Sequence, residues 1–143
     1  MSQSAYDKMM DYLARRSHTE LELSEKLLQH YALEDVEDAL TRAKAAGWIL
    51  PPEEMSVRVA EELTRKRKGH RFINQFLEQK GLPPVKEDVE AEMAKAREIL
   101  ESKLNHSFDD DGLIPEALVP KAQRLLANRG FETETIARVL ARP

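Results

Sequence analysis

The chain has 143 residues, of which 41% are hydrophobic and 34% charged, with a net charge of −4 and no cysteine. That length suits one domain or a short array of small units sharing apolar surface, and the missing cysteines exclude a disulfide framework, a thiolate metal site and a cysteine nucleophile. The acidic balance argues against a protein that grips duplex phosphates over its whole surface, so any nucleic-acid contact is expected to be local.

Aromatics at 6% and few β-branched runs point away from a sheet and toward an all-α fold. The N-terminus has no basic region followed by an apolar core, and no apolar run nears the roughly 18 residues of a membrane span. A cytoplasmic protein without membrane contact is expected.

Ser4 caps a first helix, with Tyr6, Met9, Met10 and Leu13 at i, i+3, i+4 and i+7 on its inner face and a stop near Arg16. Ser17-His18-Thr19-Glu20 reads as a capping box opening a second helix, whose core candidates are Leu21, Leu27, Leu28 and Tyr31. A third helix, from about Glu34, turns Val36, Leu40 and Ala43 inward and stops at Gly47. Trp48-Ile49-Leu50 then packs into the turn, with Trp48 expected in the core, and Pro51-Pro52 delays the next helix to about Glu53.

That helix holds Met55, Val59, Ala60 and Leu63 and ends in Arg65-Lys66-Arg67-Lys68-Gly69, cations that suit the carbonyl end of a helix. Phe72, Ile73, Phe76 and Leu77 mark another, closed by Gly81, before Pro83-Pro84 forces an extended break. Residues 85–104 contain no Gly and no Pro, and Val89, Met93, Ala96, Ile99, Leu100 and Leu104 keep helical spacing; one long helix or two short ones fit. Residues 105–115 read as a loop. Pro120 then suits a first helical turn, Leu125 and Leu126 form its stripe, Gly130 ends it with Phe131 folding back, and Thr133 caps a last helix carrying Ile136, Val139 and Leu140.

Sliding the chain along itself gives a repeat. Leu125-Leu126 falls on Phe76-Leu77 and then on Leu27-Leu28 at a constant offset of 49, which also carries Arg129-Gly130-Phe131 onto Lys80-Gly81-Leu82 and fails at Tyr31. The expected architecture is tandem three-helix repeats forming a short curved solenoid. The units are 1–50, 51–91 and 92–143, the last including the loop 105–115, with the third helix of the second unit open to fusion with the next.

These motifs resemble the RecX family, bacterial regulators of the RecA recombinase. The resemblance rests on Tyr12-Leu13-Ala14-Arg15-Arg16-Ser17 with Glu20-Leu21 and Lys26-Leu27, on Lys68-Gly69 with Arg71 and Lys80-Gly81-Leu82, and on Lys121 with Arg129-Gly130-Phe131 and Ile136. It implies a protein without chemistry of its own that lies along the groove of the RecA–DNA filament and suppresses ATP hydrolysis, strand exchange and co-protease activity. Single- or double-stranded DNA is a further partner, and the protein is expected to be a monomer. Pro51-Pro52 stands where the family usually has an acidic pair, and Tyr31 replaces a common glycine.

The densest charge feature is Arg65, Lys66, Arg67 and Lys68 with His70 and Arg71; Arg15 with Arg16, and Lys121 with Arg124 and Arg129, are thinner. A basic cluster beside a helix end suits phosphates or an acidic strip on a protein, and an ordinary solvated helix end accounts for the same residues. A nucleic-acid-binding helical protein using these clusters is the alternative function. Sequence-specific helix-turn-helix recognition fits poorly, because the helix that would enter the groove opens with Glu34, Asp35, Glu37 and Asp38.

Enzyme and cofactor readings find no residue set. His18, His30, His70 and His106 form no HExxH and no i, i+4 pair, and no Gly-rich phosphate loop occurs. Ser107-Phe108-Asp109-Asp110-Asp111-Gly112 imitates a calcium loop, but position twelve is Leu118 where a bidentate Glu is required. No catalytic residue, metal or cofactor is expected.

Overall fold

The computed structural model describes residues 3–104 and 114–141. Among them the chain is all-α, with eight α-helices, one 3₁₀ turn and no strand: α1 (Ala5–Arg15), α2 (Glu20–Leu28), α3 (Leu33–Ala45), α4 (Pro52–Arg65), α5 (His70–Gln79), α6 (Val89–Lys103), the 3₁₀ turn (Glu116–Leu118), α7 (Val119–Asn128) and α8 (Thr133–Leu140). None of these helices is long and apolar enough to cross a membrane. Two compact units divide the chain. The first comprises Met1–Arg58 with Leu77–Pro83, the second Val59–Phe76 with Pro84–Pro143, so α4 and α5 each contribute residues to both.

In the first unit α1, α2 and α3 bury Met9, Leu23, Leu27, Val36, Ala39 and Ala43 against one another. Fully burying a leucine or methionine contributes about 1.5–3 kcal/mol, so this stripe specifies the packing. Ser4 caps α1 as expected, its Oγ accepting from the Asp7 N–H at 3.1 Å. The second cap lies two residues beyond the expected one. Thr19 Oγ1 accepts from the Glu22 N–H at 3.1 Å and Glu22 Oε1 from the Thr19 N–H at 3.3 Å, a complete capping box.

That shift of register re-aims the leucines of α2. Leu23 and Leu27 are fully buried, whereas Leu21 and Leu28, expected in the core, are 38% and 43% exposed. Trp48 is likewise corrected from core to surface at 55% exposure, because the left-handed Gly47 reverses the chain so that Ile49 points inward instead.

The second unit packs Ala96, Ile99 and Leu100 of α6 against Ala122, Leu126, Phe131, Val139 and Leu140. Residues 85–104 resolve into one helix, α6, opened by Asp88, whose Oδ1 accepts from the Ala91 N–H at 3.1 Å. Thr133 is the first residue of α8; Glu132 holds the cap position, without a side-chain cap bond. The calcium-like stretch and most of the loop 105–115 lie outside the described residues.

Candidate functional site

Four helices end in one pattern. The last turn is closed by two reverse backbone bonds of 2.9 to 3.1 Å: Gly47 N–H to Lys44 C=O with Trp48 N–H to Ala43 C=O in α3, Arg67 to Thr64 with Lys68 to Leu63 in α4, Gly81 to Glu78 with Leu82 to Leu77 in α5, and Gly130 to Ala127 with Phe131 to Leu126 in α7. Such a pair requires a left-handed residue after the helix. Its φ is 79° at Gly47, 61° at Arg67, 72° at Gly81 and 85° at Gly130.

In the second unit two of these turns meet backbone to backbone. The first N–H groups of α5, which have no partner within their own helix, are taken up by the chain after α7: Gly69 N–H donates to Arg129 C=O at 2.9 Å and Phe72 N–H to Gly130 C=O at 3.1 Å. Only glycine permits this approach. A Cβ on Gly69 would lie 2.5 Å from the Phe131 nitrogen, and one on Gly130 would overlap the Phe72 Cβ.

A buried ion pair completes the junction. Glu92 Oε1 accepts from the His70 N–H at 2.6 Å, Glu92 Oε2 pairs with Lys95 Nζ at 2.5 Å, and Lys95 Nζ donates to Lys68 C=O at 2.7 Å while lying 5.6 Å from the Phe131 ring centre. Both side chains are buried. The His70 ring faces inward as well, with Nδ1 3.2 Å from Glu132 Oε1 and Nε2 2.9 Å from Val85 C=O.

Around this junction stand the basic residues of the second unit. Arg65 and Arg71 are exposed and form no ion pair among the described residues. Lys66 meets Glu62 at 3.6 Å and Arg67 meets Glu98 at 3.3 Å, both exposed contacts, and Lys68 lies 4.8 Å over the Phe72 ring. Lys121 and Arg124 are exposed on α7, and the half-buried Arg129 is joined to Gly69 through its carbonyl. The junction thus brings the 65–71 cluster beside Arg129.

Arg15 and Arg16 belong to the first unit. Arg15 is exposed at the end of α1, while Arg16 pairs with Glu22 at 2.9 Å, and Glu22 also meets Lys80 at 3.7 Å. Beside them His18 is 3% exposed; its Nδ1 donates to Arg16 C=O and its Nε2 accepts from Lys26 Nζ, each at 2.9 Å. Burial, with the Arg16 and Lys26 charges, holds the imidazole below its ordinary pKa against the raising effect of the carbonyl bond. Glu22 is also held below the usual carboxylate value: burial pushes it up, but the Arg16 hydrogen bond, the Thr19 N–H and Lys80 outweigh that.

Glu92, Lys95 and Glu132 carry no local sign of these roles. Their partners lie 22, 27 and 62 residues away, and Glu92 and Lys95 sit on a helix and Glu132 at a helix cap, places where a charged residue reads as surface.

Short helices joined by these turns define an all-α, helical-repeat fold. Residues 5–42 match the family model of the first three-helix domain of RecX. The fold is shared with the crystal structure of regulatory protein RecX, with a TM-score of 0.70 at 22% identity over 94% of this chain and 70% of that one. It is shared equally with RecX from Lactobacillus salivarius, at 0.71 and 17% identity over 94% of this chain and 91% of that one. The chain is thus similar to RecX in sequence over its first three helices and shares the RecX fold along nearly its whole length.

Proposed function

We propose that this protein regulates RecA negatively, by lying along the RecA–DNA filament and lowering its ATPase, strand-exchange and co-protease activities. The observation that carries the reading is the match of residues 5–42 to the RecX first domain, joined to a RecX fold. The repeats 1–50, 51–91 and 92–143 would touch successive protomers, so that several weak contacts act at high effective concentration. The contact residues are Arg65, Lys66, Arg67, Lys68 and Arg71, with Lys121, Arg124 and Arg129 and, in the first unit, Arg15 and Arg16. His70 contributes by holding the 65–71 turn in place. The protein acts in the cytoplasm, as a monomer.

The cations are local. Counting along the sequence, the first unit has 8 Lys and Arg against 12 Asp and Glu, a net −4, and the second has 14 against 14, a net of zero. The test is the steady-state ATPase of RecA on single-stranded DNA, titrated with substoichiometric protein at fixed salt. Inhibition is expected. Unchanged turnover alongside binding to bare DNA would instead establish a nucleic-acid-binding protein that shares only the RecX fold.

A further inference from the structure

The first unit carries a notch of about 360 Å³ between the start of α1 and the outer face of α3, a volume in the range of ligand pockets. Two of its walls are tyrosines, Tyr6 and Tyr31, and the Tyr31 hydroxyl donates to the Gln3 C=O at 3.0 Å. Asp35, Asp38 and Arg42 of α3 line the rest, and all three are exposed.

The charges in this notch do not neutralise one another. Arg42 stands four residues after Asp38, the spacing at which opposite charges on a helix pair. Such pairs form between Glu54 and Arg58, Glu62 and Lys66, and Glu134 and Arg138. The Arg42 guanidinium instead lies over the Tyr6 ring, 4.0 Å from its centre, and neither Asp35 nor Asp38 has an ion pair among the described residues. A helix start favours carboxylates, which accounts for Glu34 and Asp35 in the first turn of α3, but that effect fades within the turn and does not reach Asp38.

We infer that the notch receives an arginine side chain of a protein partner. Anions are repelled, because Glu34, Asp35, Glu37 and Asp38 stand together in a unit of net −4. An apolar side chain would strip water from the carboxylates and return no hydrogen bond. A guanidinium suits both kinds of wall, since its plane stacks on an aromatic ring while its fork of N–H groups meets a carboxylate. Arg42 on Tyr6 already makes half of that arrangement within the chain, and Tyr31 with Asp35 and Asp38 offers the other half. None of the cations proposed above as contacts lines the notch. The docking rests on the filament reading, in that the filament supplies the protein partner.

The test uses the full chain, Asp35→Asn/Asp38→Asn and, as a control with the same change of charge in the same unit, Glu53→Gln/Glu54→Gln. N-acetyl-arginine amide, titrated into isotope-labelled natural protein, is expected to shift the amide resonances of Tyr31, Asp35 and Asp38, whereas N-acetyl-citrulline amide, of like shape without the charge, is not. The control variant keeps those shifts and Asp35→Asn/Asp38→Asn loses them. In the RecA ATPase titration at fixed salt, Asp35→Asn/Asp38→Asn is expected to need about 3- to 10-fold more protein for half-inhibition, and the control to stay within about twofold of the natural protein. Equal shifts with the citrulline compound, or no shift localised to the notch, overturn the site whether or not the variants fold. RecA inhibition by the natural protein that the two variants match equally overturns the docking and leaves the filament reading standing. Arginine-specific shifts in a natural protein that leaves RecA turnover unchanged sink the filament reading and uphold the site.

Discussion

Gly130→Ala isolates what the glycine junction of the second unit contributes. Two costs arise. An alanine at φ 85° carries the left-handed penalty of about 1 kcal/mol, and its methyl would overlap the Phe72 Cβ, so the chain after α7 must move off α5. That movement breaks the bonds from Gly69 N–H to Arg129 C=O and from Phe72 N–H to Gly130 C=O, worth about 0.5–1.5 kcal/mol each, and it loosens Phe131, which is 1% exposed. The backbone terms sum to about 2–4 kcal/mol, to which any loosening of Phe131 adds. Gly47→Ala is the control, because φ there is 79° but a Cβ would meet nothing within 4 Å, leaving only the left-handed penalty of about 1 kcal/mol. Urea unfolding followed by far-UV circular dichroism compares the two variants, and hydrogen exchange at α5 and α7 localises the loss. If Gly130→Ala costs no more than Gly47→Ala, the backbone contact is not what holds the second unit together.

Acid should weaken the first unit through His18 and Glu22. Both are held below their ordinary pKa in the folded state, so the unfolded chain takes up their protons first. The stability they contribute is therefore full above the ordinary values of 6.5 and 4.5 and is lost as pH falls, His18 acting from neutrality downward and Glu22 below it. Trp48, the single tryptophan, lies in the first unit and reports this unfolding. Its thermal midpoint should drop between pH 7 and pH 5, and His18→Gln should flatten that step; a midpoint that rises with acid contradicts the assignment. In the second unit, Lys95→Met leaves the buried Glu92 carboxylate without its cation and should cost about 3–5 kcal/mol in urea unfolding, with Glu92→Gln/Lys95→Met recovering most of the loss. A single variant as stable as the natural protein would show that water replaces the ammonium.

The features readable from sequence are those whose cause lies within one helical turn. Ser4 and Asp7 are three residues apart and the cap they announce is present. Gly47, Gly81 and Gly130 end helices as glycines should. The α2 cap was misplaced because Ser17 and Thr19 both offer a hydroxyl three residues before a glutamate; only packing decides between them, and the choice of Thr19 sends Leu23 rather than Leu21 into the core. Trp48 was misassigned for a similar reason, since hydrophobicity places it inside while the geometry of the Gly47 turn places it outside. Glu92 and Lys95 were out of reach altogether, since an i, i+3 pair of opposite charge on a helix is ordinarily solvated. What buries this one is a turn 22 to 27 residues earlier in the chain.

The offset of 49 also explains residues that the repeat itself does not contain. It carries α1 onto α4, α2 onto α5 and then α7, and at twice its length α3 onto α8, but in the middle copy the counterpart of α3, residues 82–94, opens with Pro83-Pro84 and an extended stretch before α6 begins at Val89. A helix satisfies its own backbone, and an extended segment in a packed unit must find partners elsewhere. Here they are side chains of α5. Asn74 Oδ1 accepts from the Val85 N–H at 2.9 Å, Asn74 Nδ2 donates to the Val85 C=O at 3.1 Å, and the His70 Nε2 lies 2.9 Å from the same carbonyl. His70 and Asn74, one turn apart on α5, do for Val85 what a helix would have done for itself. That accounts for a histidine inside a basic cluster whose ring is turned away from the surface: His70 fixes the segment that replaces a missing helix, while its neighbours Arg67, Lys68 and Arg71 remain available to a partner.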